Sequence, residues 1–113
     1  MHEYSIVQAL LEQCEDHVKA NDATKVTKVI IKIGVMSGVE PDLLKRAFET
    51  FKAGTVCDKA ELDLQIQDLE VYCYACQESF VLEAGSYECP RCKSVEVNVT
   101  DGKEMMLMQL QMQ

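Results

Sequence analysis

Apolar residues near the start of the chain recur at three- and four-residue intervals: Val7, Leu10, Leu11, Cys14 and Val18. Glu12, Glu15, Asp16 and Lys19 fall on the other side, so the stretch predicts an amphipathic surface helix. Ser5-Ile6-Val7-Gln8 sets a Ser three residues before a Gln, a capping box that would start this helix. Met1 to Tyr4 then precede the helix and fit a short strand, while Asn21-Asp22 marks its end.

The period changes after Lys25. Val29, Ile31 and Ile33 alternate with Lys28, Ile30 and Lys32, a β-branched run that predicts a strand with one fully buried face, closed by Gly34. Met36-Ser37-Gly38-Val39 reads as a loop, and Pro41 suits the first position of a second helix, where its missing N–H costs nothing. Leu44, Ala47, Phe48 and Phe51 form that helix's buried stripe, with Gly54 near its stop. Leu62, Leu64 and Ile66 alternate with Glu61, Asp63, Gln65 and Gln67 as a strand with a polar outer face. Near the end, Met106, Met108, Leu110 and Met112 read as one strand face that fills the core, set against Gln109, Gln111 and Gln113. The expected fold class is α+β: two helices packed on a small mixed β-sheet, with an inserted zinc-ribbon-like module. Residues 1–69 and 100–113 form the α/β domain and residues 70–99 the insert.

Composition narrows what such a fold does. The 113 residues are 48% apolar and 27% charged, about one globular domain's worth. Nineteen acidic against 11 basic residues give a net charge of −8, which disfavours a phosphate-binding surface and hence nucleic acid. No apolar run approaches the roughly 18 residues that span a bilayer, and Met1-His2-Glu3-Tyr4 lacks the basic start of a signal peptide. The expectation is a cytoplasmic chain whose thiols stay reduced.

Four of the six cysteines form two matched pairs, Cys73-x-x-Cys76 and Cys89-x-x-Cys92, separated by 12 residues. Each pair can turn two thiolates toward one ion, and four thiolates suit a structural Zn²⁺ with no open position for substrate water. An insert of about 30 residues is too small to fold on apolar burial alone, so a metal is the expected cross-link. A thioredoxin-like redox motif accounts for one pair and not two, and a rubredoxin-like iron site uses similar knuckles with a less common occupant. Nucleic-acid-binding ribbons are opposed by Glu70, Glu78, Glu83, Glu88 and Glu96, which outweigh Arg91 and Lys93. Ser79–Leu82 and Val95–Val99 fit strands after each knuckle.

Cys14 lies in the first helix's apolar stripe and reads as a small buried hydrophobe, Cys57 as a half-exposed loop thiol without a metal partner, and His17 as a partly exposed side chain. His2 differs by position. A free α-amine, the imidazole of residue two and the intervening amide nitrogens can chelate one cation in nearly planar rings, an arrangement suited to Ni²⁺ or Cu²⁺. On these residues alone the signal is weak, since a His at position two also arises by chance. Glu3 beside it can add a carboxylate or tune the site from behind.

Taken together, the opening Met-His-Glu-Tyr-Ser, the β-branched strand ending in Ile33-Gly34, the Phe48-Glu49-x-Phe51 helix and the two late Cys-x-x-Cys knuckles resemble, end to end, the HypA/HybF family of nickel metallochaperones for [NiFe]-hydrogenase maturation. The resemblance implies a nickel-binding α/β domain and a zinc domain of four cysteines. It puts the nickel motif on Met1, His2 and Glu3, with the Met1 amine and His2 imidazole as donors and Glu40 as an acidic neighbour, and the zinc ligands on Cys73, Cys76, Cys89 and Cys92. It also implies Ni²⁺ as cargo and structural Zn²⁺. The implied partners are a HypB-type GTPase, the hydrogenase large-subunit precursor and, in some bacteria, urease accessory proteins. A monomer or weak homodimer is expected. Several members carry histidines just after the cysteine pairs, where this chain has Gln77-Glu78 and Lys93-Ser94, so exchange of cysteine for histidine ligands is not expected. No nucleophile with a neighbouring base and no phosphate loop suggests an enzyme. The contrasting reading is a zinc-ribbon interaction module with no cargo.

Overall fold

The computed structural model describes residues 2–82 and 87–113 and, for His2, the backbone alone. Helix α1 (His2–Ala20) is followed by β1 (Val26–Gly34), α2 (Pro41–Phe51), β2 (Glu61–Gln67), β3 (Leu69–Cys73), β4 (Glu78–Leu82), β5 (Val97–Asp101) and β6 (Met105–Met112). The strands make two three-stranded sheets, ordered β2-β1-β6 and β4-β3-β5.

In the first sheet β1 is central, parallel to β2 and antiparallel to β6. Parallel neighbours need a crossover, and α2 supplies it. The alternation along β1 sets the core: Val26, Val29, Ile31 and Ile33 are buried with Val7, Leu10, Cys14 and Val18 of α1 and Leu44 and Phe48 of α2. Helix α1 ends in a Schellman motif, with Ala23 N–H on the Val18 carbonyl (2.9 Å), Asp22 N–H on that of Lys19 (3.4 Å), and Asp22 left-handed at φ 53°. The second sheet has its own small core of Leu69, Val71 and Leu82, flanked by Phe80, Val97 and Val99. Two cores end to end explain the elongated outline, 52 × 28 × 17 Å with a radius of gyration of 17.3 Å. One sphere of this length would have a radius of gyration of about 13 Å.

Five expectations are corrected. Tyr4 and its neighbours are helical rather than a strand, because α1 already begins at His2, and Ser5 therefore lies inside the helix and caps nothing. Phe51 is exposed, and its ring packs edge-on against Tyr4 at 5.1 Å instead of entering the core. Cys57 is fully buried in the main core. In β6 the register to β1 shifts between Ile30 and Ile31, leaving Met108 as the extra residue. A bulge reverses which side chains face inward, so Met105, Leu107, Leu110 and Met112 pack on the core while Met106 and Met108 face solvent. Strand β3, with only five residues between β2 and the first knuckle, had no alternation of its own long enough to stand out, yet it is the centre of the second sheet.

The lobes meet where β1 ends. Gly34 N–H donates to the Glu104 carbonyl (3.0 Å), Val35 N–H to that of Gln67 (2.9 Å) and Met36 N–H to that of Gly102 (2.8 Å). Lys32 Nζ donates to Asp101 Oδ2 at 2.9 Å, and Tyr87 Oη to Met36 Sδ at 3.3 Å. Among the described helices none is long and apolar enough to cross a membrane.

Candidate metal centres

Each cysteine knuckle is a tight turn off a strand or loop. Gln77 N–H donates to the Cys73 carbonyl (2.8 Å) and Lys93 N–H to that of Cys89 (2.9 Å), and each donor residue is left-handed, at φ 55° and 64°. The two knuckles thus repeat one geometry. Within them, amides point at sulfur: Cys76 N–H at Cys73 Sγ (3.5 Å), and the N–H groups of Arg91 and Cys92 at Cys89 Sγ (both 3.4 Å). Arg91 Nη1 ties the second knuckle to Glu78 Oε2, just past the first, at 2.7 Å.

The four sulfurs all lie within 4.8 Å of one another. Cys73 Sγ is 3.6 Å from Cys92 Sγ, and Cys76 Sγ is 3.9 Å from Cys89 Sγ. A tetrahedron with Zn–S bonds of about 2.3 Å has edges of about 3.8 Å, so the cluster fits a structural zinc ion. Cys73 and Cys89 are buried, while Cys92 is exposed at the rim. Burial resists ionisation of Cys89, but the amides of Cys92 and Arg91 outweigh it and bring its thiol down to about 7. Cys76 is pushed up to about 12 by its contact with Cys92, then by burial and the sulfurs of Cys89 and Cys73. Four thiolates side by side need a cation, and a divalent ion supplies it.

In the first lobe, the side chain of Glu3 is buried and its Oε2 accepts a hydrogen bond from the Glu40 amide at 3.5 Å. Glu3's own amide, opposed by burial and aided by the Glu40 amide, holds its carboxyl below the usual carboxylate range. Glu40 is the N-cap residue of α2, with an exposed side chain that makes no cap hydrogen bond. The fold therefore brings Glu3 and Glu40 together, with the first residue of α1 beside them. Met1 and the His2 imidazole lie outside the described residues and side chains. A groove of about 300 Å³ lined by Glu3, Tyr4, Leu43, Arg46, Ala47 and Thr50 opens beside this corner.

Cys14 and Cys57 sit together in the core, and Cys14 is pushed up first by hydrogen bonding to Cys57 and then by burial. Their pairing was not legible in the sequence because 43 positions separate them and the loop before β2 has no periodicity.

The family model described as hydrogenase/urease nickel incorporation, metallochaperone, HypA matches residues 1–112. The hydrogenase maturation factor HypA of Shewanella oneidensis is 58% identical over 113 residues, covering 100% of this chain and 96% of that protein. The factor of the same name from Aquifex aeolicus is 46% identical, covering 100% and 98%. Among solved structures, the solution structure of the Ni metallochaperone HypA from Helicobacter pylori superposes with a TM-score of 0.69 at 38% identity, over 97% of this chain and 96% of that one. A second solution structure of a HypA protein gives 0.76 at 40% identity, over 100% and 97%. With two helices on a mixed sheet, a second sheet carrying a four-cysteine cluster, and likeness along essentially its whole length, this chain belongs to the HypA family of nickel metallochaperones for hydrogenase maturation.

Proposed function

We propose that the chain carries Ni²⁺ on the nitrogens at its start, the Met1 amine, the His2 imidazole and intervening amides, and hands it on for [NiFe]-hydrogenase maturation. The observation that supports this most is the helix start itself. The first amides of a helix have no intrahelical acceptor, so a metal can take the nitrogens of His2 and Glu3 without breaking a helical hydrogen bond. A strand there would have engaged some of them. Two deprotonated amides also neutralise a divalent ion, which suits the positive end of the helix dipole. Glu3, held by the Glu40 amide, fixes the first turn against α2; in this reading it positions the chelate, and Glu40 supplies negative charge nearby.

Residues 1–69 and 100–113 act as the nickel-binding domain and residues 70–99 as the zinc domain, whose four cysteines Cys73, Cys76, Cys89 and Cys92 hold a resident Zn²⁺. An open nitrogen site suits a carrier, because a closed thiolate cage would retain the ion. The receiving partners in this reading are a HypB-type GTPase and the hydrogenase large-subunit precursor, with urease accessory proteins as further clients, and the role is non-catalytic and cytoplasmic. The test is a chain extended by a residue or two before Met1, which keeps His2 and removes the terminal amine from the chelate. Nickel calorimetry should then show weakened binding with zinc content unchanged; unchanged nickel affinity would remove the amine from the site.

A further inference from the structure

The four sulfurs of the zinc cluster are not equivalent. The first cysteine of each knuckle is buried and accepts backbone amides on its sulfur: Cys73 Sγ from Cys76 N–H at 3.5 Å, and Cys89 Sγ from the N–H groups of Arg91 and Cys92, both at 3.4 Å. Among the described residues no amide donates to the second sulfur of either knuckle, that of Cys76 or Cys92. Exposure divides this second pair again, since Cys76 is half-buried and Cys92 exposed. An amide directed at a thiolate draws off electron density, and burial keeps reagents away, so each lowers a sulfur's reactivity toward an electrophile. Cys92 has neither protection. Across the cluster it stands 3.6 Å from Cys73 Sγ, closer than the 3.9 Å between Cys76 and Cys89.

From this asymmetry we infer that Cys92 is an oxidation site at which a hydroperoxide opens the zinc cluster, with Cys73 closing a disulfide between the two knuckles. The Cys92 thiolate attacks one oxygen of hydrogen peroxide: an S–O bond forms, the O–O bond breaks, and hydroxide leaves. Cys92 is then a sulfenic acid. The Cys73 thiolate attacks its sulfur, forming the S–S bond, breaking the S–O bond and releasing a second hydroxide. Two protons from solvent convert both hydroxides to water, and the two electrons lost by the thiolates are the two that reduce the peroxide. Only Cys76 and Cys89 remain as thiolates, too few for a tetrahedral zinc site, so the metal is released. The disulfide keeps the knuckles joined while the site is empty of ligands enough, so a thiol reductant and zinc rebuild the cluster.

Stepwise hydrogen peroxide added to the zinc-loaded, nickel-free chain tests this, with a colorimetric chelator reading released zinc and mass spectrometry of digested protein locating each modification. At low conversion a sulfenic-acid trap such as dimedone should label Cys92 before any other cysteine. At full conversion one zinc should be released per disulfide, and that disulfide should join the peptides carrying Cys73 and Cys92, with Cys14 and Cys57 still reduced. Cys92→His keeps a zinc-binding side chain that peroxide does not readily oxidise, so release should be about tenfold slower or more. Cys76→His should release zinc at close to the parent rate. The trapping needs no variant and decides the question even where a substitution loses zinc. First labelling at Cys73, Cys76 or Cys89, a disulfide within one knuckle, or zinc release from Cys92→His as fast as from the parent would overturn the proposal.

Discussion

Gly34 at the end of β1 lies so close to Gly102 that a Cβ on Gly34 would collide with the Gly102 carbonyl oxygen. Gly102, at φ +97°, is in turn packed on the next crossing strand, where a Cβ would stand 2.7 Å from the Asp68 carbonyl oxygen. Three stretches of backbone thus stack where the lobes join, and only hydrogen atoms fit between them. Gly34→Ala should therefore cost about 1–3 kcal/mol, the usual range for overpacking, because every neighbour in its way is backbone. Chemical denaturation of the zinc-loaded protein measures this, and a variant as stable as the parent would mean that the junction can open freely.

The ion pair at the same junction predicts how it responds to acid. Lys32 first, and the Gly102 amide second, hold the Asp101 carboxyl below its ordinary value of 3.8, with burial opposing them. A carboxyl lowered by folding contributes stability that is fully present above its unfolded value and is lost as pH falls through the lowered one. The pair should thus stay intact through the neutral range. NMR relaxation should report the same coupled tumbling of the lobes at about pH 8 and about pH 6, and Asp101→Asn should loosen it at both. Uncoupling that sets in between those two values in the parent chain would contradict the assignment.

Core packing of Cys14 and Cys57 predicts their reactivity. Both are fully buried, and Cys14 is driven away from the reactive thiolate. With zinc bound, iodoacetamide should leave both unmodified until denaturant unfolds the main core. Modification of Cys57 at the rate of a free thiol would place it on the surface, as its loop position alone suggests.

Zinc removal should act on one end of the molecule. Among the described residues, the second core contains three buried apolar residues, Leu69, Val71 and Leu82, whereas the first contains 14. Stripping the ion with a strong chelator should collapse the NMR dispersion of residues in β3, β4 and β5 and leave that of β1 and α2 largely in place. Retention of dispersed β4 and β5 signals without zinc would mean that the small core suffices.

The parts of this fold that were legible in the sequence are those with an unbroken period. The stripe from Val7 to Val18 and the alternation from Val29 to Ile33 each name their buried face, and the equal spacing within both knuckles names the tetrahedron. What escaped depends on contacts distant in sequence. A single bulged residue reversed the facing of Met106 and Met108, and a Tyr4–Phe51 ring pair replaced core burial of Phe51. The nearness of Glu3 and Glu40 came from the resemblance rather than from any pattern, because it arises only when α1 and α2 pack side by side.

The central claim is that nickel is held at the start of α1, apart from the zinc cluster. Nickel titration of the untagged, zinc-loaded chain and of His2→Ala, each followed by elemental analysis, tests it most directly. The parent should show a tight nickel site, and His2→Ala should lose it while keeping one zinc per chain. Equal nickel affinity in the two proteins, or loss of zinc along with nickel, would contradict the two-site account.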